Sequence, residues 1–280
     1  MRHGRPVGEM LRDWRQRRRL SQLDLACEAD ISTKHLSFLE TGRSRPSREM
    51  LLHLAERLEV PLRERNLLLS AAGYAPEYPE RSLDDPALDS ARRGVEALLA
   101  AHEPNPALAV DRHWQLVAGN RAVGRLMADV EPTLLRPPVN VLRLSLHPAG
   151  LASRIVNLPE WRAHVVQRLR RQIEVSGDPV LSDLLEEIQD YPMPAAGASG
   201  GPAQEVPSAD AVAVPFRLAT IDGVLSFFST TTVFGTPVEV TLSELAIEAF
   251  FPADPETARL MRLQADAPVT RPEVAQEAAD

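Results

Sequence analysis

At 280 residues, 44% hydrophobic and 25% charged, the chain is long enough for two globular domains and too apolar for a disordered one. No run of about 18 apolar residues occurs, which excludes a membrane-spanning helix; the single cysteine, Cys27, excludes an internal disulfide framework and a Cys-cluster metal site. The net charge of −8 is uneven: residues 1–48 hold eleven cations, Lys34 being the chain's only lysine, against six acids, a net of +5 that leaves −13 on the remainder.

A basic head on an acidic body points to a polyanion partner for the head alone. The start, MRHGRPVGEM, is basic but has no apolar core behind it, so no signal peptide is expected and a cytoplasmic location fits. The first 75 residues read as five short helices. The first spans about Val7 to Arg18, with Leu11 and Trp14 on one face. Ser21 and Asp24 form a capping box that opens the second. Ser32 opens the third, which carries Leu36 and Leu39 inward and stops at Gly42. Ser47 caps the fourth, which buries Leu51, Leu54 and Leu58, and Pro61 starts the fifth.

Residues 76–88, rich in proline and acid, read as a linker. A helix follows from Pro86 to about Ala101. Leu108 and Val110 alternate as a strand, Asp111-Arg112 turns, Trp114, Leu116 and Ala118 alternate as a second strand, and Asn120 caps a helix. Residues 161–177 and 180–190 are amphipathic helices, the first with Trp161, Val165, Leu169 and Ile173 at steps of four. Residues 193–210 are low in complexity and read as mobile. Three strands then run from Val212 to Leu218, Val224 to Phe234 and Val238 to Phe251, the last with a break near Ser243. Asp222-Gly223 is a hairpin signal. Residues 264–280 read as a disordered tail.

The head carries S-Q-x-x-L-A, a turn, then I-S-x-x-x-L-S-x-L-E-x-G-x-x-x-P-S. Over residues 7–72 this resembles the Xre/Cro-like helix-turn-helix family, which lays its second helix in the DNA major groove. The resemblance implies that Thr33, Lys34, Ser37 and Phe38 face bases, flanked by Ser32 and His35. It implies that Gln22, at the start of the preceding helix, and Arg43 and Arg45, just past the recognition helix, touch phosphates. Lys34 at that position can donate to guanine O6 and N7. Glu40 matches the family's structural ion-pair partner for Arg15. Asp30 stands where the family has glycine, in a turn that asks for positive φ.

Two strands, helices, then three strands suit a five-stranded antiparallel sheet, and LAVDRHWQLVAGNRAVGRLM resembles the opening of PAS-like sensor domains. With NVLRLSLHPAGLASRIVNLPEWRAHVVQRLRRQ and VEVTLSELAIEAFFPAD, the chain from 7 to 262 resembles the MmyB-like transcription regulators. The expected fold is α+β: an all-α five-helix DNA-binding domain over residues 1–75, then a PAS-like α/β sensor over 89–263. The family implies a small hydrophobic acid as ligand, a long-chain fatty acid in some members, and an adjacent oxidoreductase gene under control. Phe216, Leu225, Phe227, Val233, Trp161 and Leu169 could line a tunnel; Arg121, His147, Arg154, Asn157 and Arg168 could hold a carboxylate.

Enzyme signatures are missing. No glycine-rich phosphate loop is followed by Lys, the seven histidines form no i, i+4 pair, and the glycines of PAAGASGGP neither follow a strand nor open a helix. The expectation is a one-component regulator without catalytic residues, metal or cofactor, a homodimer on an inverted-repeat operator. The alternatives are a body that only dimerises or docks to a protein such as RNA polymerase, and a body that holds flavin or haem.

Overall fold

The computed structural model describes residues 5–193 and 214–266. The chain divides into two units. One holds the described residues up to Pro86 with Arg171–Asp178 and Gly235–Ser243; the other holds Ala87–Arg170, the described part of Pro179–Phe234, and Glu244 onward.

The first unit opens with five helices: α1 Val7–Arg17, α2 Gln22–Glu28, α3 Thr33–Glu40, α4 Arg48–Arg57 and α5 Leu62–Ala71. Their starts are fixed by side-chain caps. Ser21 accepts from the Asp24 backbone N–H while the Asp24 carboxylate accepts from that of Ser21, the capping box the sequence predicts. Ser32 caps α3 through the His35 N–H, and Ser47 caps α4 through that of Met50. Gly42, at φ +71°, ends α3 in the left-handed region, and Asp30 takes φ +52° in the turn between α2 and α3. Leu11, Leu25, Leu36, Leu39, Leu51, Leu54 and Leu58 are all buried in one core; each contributes about 1.5–3 kcal/mol relative to exposure. Gly8 lets α1 press against α3: a Cβ there would stand 2.4 Å from the Leu39 carbonyl oxygen. The linker is tied down by Asn66, whose Oδ1 accepts from the Glu77 and Tyr78 N–H groups and whose amide donates to the Tyr78 carbonyl.

The rest of the chain runs α6 Asp89–Ala101, β1 Ala107–Val110, β2 Leu116–Gly119, α7 Arg121–Leu126, α8 Val141–Leu146, α9 Leu158–Ser176, α10 Pro179–Asp190, β3 Phe216–Thr220, β4 Gly223–Val233, α11 Val240–Ser243, β5 Ala246–Pro252 and α12 Pro255–Asp266. Every pairing in the five-stranded sheet is antiparallel, in the order β2-β1-β5-β4-β3. The overall class is therefore the predicted α+β. Asn120 pins one corner of the sheet: its Oδ1 accepts from the Ala107 and Val123 N–H groups and its amide donates to the Leu99 and Asn105 carbonyls. A buried amide with both ends satisfied is a rigid joint rather than a penalty. Among the described residues no helix is long and apolar enough to cross a membrane.

Four local expectations are corrected. Trp114 is not a strand residue; it takes φ +65° in the turn before β2, with its N–H donating to the Asp111 carbonyl. Residues 238–245 alternate like a strand, yet the Glu239 carboxylate accepts from the Leu242 N–H and Ser243 Oγ donates to the Val240 carbonyl, so a helical turn wins. The expected tail is helical up to Asp266: Asp254 accepts from the Thr257 N–H, and Pro255 sits at the first helical position. The strand expected from Val212 is, within the described residues, β3 from Phe216 on, with Val214 and Pro215 outside it. The low-complexity stretch falls, from 194 on, outside the described residues, as do Val212 and residues 267–280.

Candidate functional site

The head presents its cationic surface through α3. Leu36, Leu39 and Glu40 turn inward, and Lys34 is exposed on the first turn. Thr33, His35, Ser37 and Phe38 are half-buried, and Ser32 and Arg43 are exposed. The Lys34 Nζ and the Arg43 guanidinium lie 5.7 and 5.8 Å from the centroid of the Phe38 ring. One aromatic ring thus holds two cations near the start and just past the end of the same short helix.

Behind this surface lies a buried ionic cluster. Glu40, 3% exposed, accepts from Arg15 Nε at 2.6 Å, Arg15 Nη2 at 2.8 Å and Gln22 Nε2 at 2.8 Å. Arg12 stands 3.6 Å away. Burial pushes the Glu40 carboxyl up, but the hydrogen bonds from Arg15 and Gln22 and the nearby arginine charges outweigh it and hold it below the ordinary glutamate range. This is the Arg15–Glu40 pair the sequence suggests. Two of the predicted phosphate contacts are engaged inward: the Gln22 amide serves Glu40, and Arg45 Nη2 donates to the Ala72 carbonyl at 2.6 Å. Arg45 is nonetheless exposed, and only its Nη2 is engaged by that bond.

The second unit contains a cavity of about 100 Å³ between the sheet and α7, α8 and α9. Leu108, Phe216 and Phe250 line the sheet side; Val123, Leu126 and Met127 come from α7 and its end, Leu142, Leu144 and Ser145 from α8, and Trp161, His164, Val165 and Arg168 from α9. The last four follow i, i+3, i+4, i+7, the period of one helical face. Trp161 Nε1 donates to Ser145 Oγ at 2.9 Å, and its ring stacks on His164 at 5.4 Å.

At one end of the wall Arg168 meets Glu248. Nη1 donates to Oε2 at 2.9 Å and Nη2 to Oε1 at 2.5 Å; Nη2 also donates to Thr231 Oγ1 at 2.6 Å, and that hydroxyl donates to Glu248 Oε1 at 2.8 Å. The guanidinium carbon lies 4.5 Å from the Trp114 ring centroid. Glu248 is only 4% exposed. Removing one partner of a fully buried pair costs about 3–5 kcal/mol, and less here because a third of the Arg168 side chain meets solvent.

Of the residues expected to face a ligand, Trp161, Phe216 and Arg168 line this cavity. Phe227 is fully buried in the core beside it, 6.2 Å from Phe250. The other polar candidates lie outside the lining. Arg121 is exposed and 3.8 Å from Glu103. His147 Nδ1 accepts from the Ala149 N–H, and its ring meets Tyr191 edge-on. Arg154 donates to the Ala219 and Leu126 carbonyls, and Asn157 ties Pro215 and Arg217 of the β3 start to the loop before α9. Sequence reasoning missed Ser145, His164 and Glu248. The signal for Glu248 was its register: it shares the inward face of β5 with Phe250, two residues on.

The architecture is thus that of a helix-turn-helix unit joined to a separate sheet unit with an apolar cavity. A helix-turn-helix domain model matches residues 6–68, and the model of the MmyB-like transcription regulator ligand binding domain matches residues 91–263. The second match spans more than half of the chain, and the chain belongs to that family. No curated protein gives a significant match.

Proposed function

We propose that the protein is a one-component transcription regulator of the cytoplasm, an Xre-type head on a PAS-like sensor, which binds an inverted-repeat operator as a homodimer. The two family matches make it a DNA-binding, ligand-responsive regulator at the coarse level. The finer reading adds a small hydrophobic effector, seated in the cavity, whose binding alters operator affinity. A hydrophobic acid of the fatty-acid kind is the class that the family resemblance suggests. The apolar walls support the hydrophobic part of that reading, and the antiparallel sheet supports the PAS-like part.

The observation that carries the proposal is the pairing, in one chain, of exposed Lys34 and Arg43 gathered about Phe38 of a capped recognition helix with an apolar cavity in a separate unit. A cavity near 100 Å³ is on the scale of engineered cavities of about 150 Å³ that take benzene. Operator selection from random DNA by the full-length protein tests the head: an enriched palindrome with two half-sites one helical turn or a multiple apart is expected. Enrichment of no sequence at all would refute it.

A further inference from the structure

The cavity has one strongly charged corner, and its charge is already matched. Among the described lining residues Arg168 is the only arginine or lysine, and Glu248 meets both of its Nη atoms. Thr231 bridges the two side chains, and the Trp114 ring lies over the guanidinium. For an incoming carboxylate this corner is unfavourable. It would find the guanidinium neutralised and would stand beside a carboxylate that is 4% exposed. To take Arg168 for itself it would have to strip Glu248 of its counter-ion, and Glu248 has little water to fall back on.

A group that both donates and accepts one hydrogen bond faces no such conflict. It can receive from the guanidinium edge and give to a carboxylate oxygen while the pair stays closed. The remaining lining is mostly hydrocarbon or aromatic; its other polar groups are the Ser145 hydroxyl, which accepts from Trp161 Nε1, and the His164 imidazole, which stacks on the Trp161 ring. We infer that the cavity selects a small uncharged amphiphile, an alcohol, phenol or primary amide of about six carbons on the benzene scale. Its polar group lies against the closed Arg168–Glu248 pair and its body against Val165 and Phe216. The inference rests on the reading of this cavity as the effector site. It differs from an acid-binding site in the charge of the ligand's polar end.

The test is calorimetric titration of the full-length protein at pH 7.5 with hexan-1-ol, hexanamide and hexanoate, which share one chain and differ at the polar end. The wild-type protein should bind the alcohol and the amide at least tenfold more tightly than hexanoate. Glu248→Gln keeps the shape, releases Arg168, and should gain at least tenfold for hexanoate. Tighter binding of hexanoate than of hexanamide by the wild-type protein would overturn the inference, and this comparison needs no variant to fold. Failure of all three, and of their ten-carbon homologues, would remove the effector-site reading itself. Binding of the ten-carbon acid with rejection of the ten-carbon alcohol and amide would keep that reading and sink this one.

Discussion

Replacing Glu40 by alanine tests how the recognition helix is held. The carboxylate is 3% exposed and receives three hydrogen bonds, two from Arg15, itself only 8% exposed, and one from Gln22. Its removal leaves a buried guanidinium with no counter-ion, for which about 3–5 kcal/mol is expected. Arg15 keeps one bond to the Leu20 carbonyl, so the low end applies. A domain of this size loses about 4–8 °C per kcal/mol, so a melting transition carried by the head should fall by about 12–24 °C. Differential scanning calorimetry of the full-length protein reads the shift. The double variant Arg15→Met/Glu40→Leu removes both charges and should recover much of the loss. A fall of less than about 4 °C for Glu40→Ala, or a double variant as unstable as both single losses added, would refute the reasoning.

Lys34→Ala should relax specificity at one base pair of each half-site by about 1–3 kcal/mol, whereas Arg43→Ala should weaken all sequences evenly and lower the salt slope by about one; competition assays on single-base operator variants separate the two. Gly8→Ala should destabilise by about 1–3 kcal/mol in urea unfolding. Alanine's helix advantage of about 1 kcal/mol is outweighed because the new Cβ would meet backbone oxygens of Leu39 and Glu40 at 2.4 and 2.7 Å. The Glu40 carboxyl is depressed in the folded state, so its contribution is complete above the ordinary glutamate value of about 4.3 and is lost as pH falls through its lower folded value. The stability difference between wild type and Glu40→Gln should therefore shrink below about pH 4.3, and a difference that grows there would contradict the assignment.

The head was legible because its signals are local. Ser21, Asp24, Ser32, Ser47 and Gly42 cap or stop helices through contacts spanning a few residues, and the structure places each where its spacing predicts. Gln22 and Arg45 were harder, since the sequence shows a polar side chain near a helix end but not that Glu40 and the Ala72 carbonyl wait nearby. In the second unit the apolar alternation showed the strands. It misled at 238–245, where Glu239 caps a turn within an apparently alternating run. The cavity's charged corner joins Arg168 to Glu248, 80 residues apart, with Trp114 and Thr231 from two further segments. No periodicity reports such a meeting. The start of α12 was legible in principle, since Asp254-Pro255 is an N-cap followed by a first-turn proline.

The most direct measurement is operator binding by the full-length protein, followed by fluorescence anisotropy on its selected operator, while matched acids, alcohols and amides of increasing chain length are added. At least one compound that calorimetry shows to bind should change the operator affinity severalfold. Val165→Phe, which grows into the cavity wall, should abolish that change and leave effector-free operator binding intact. A compound that binds tightly and leaves operator affinity unchanged at saturation, with every other compound equally silent, would contradict the account of a ligand-responsive regulator.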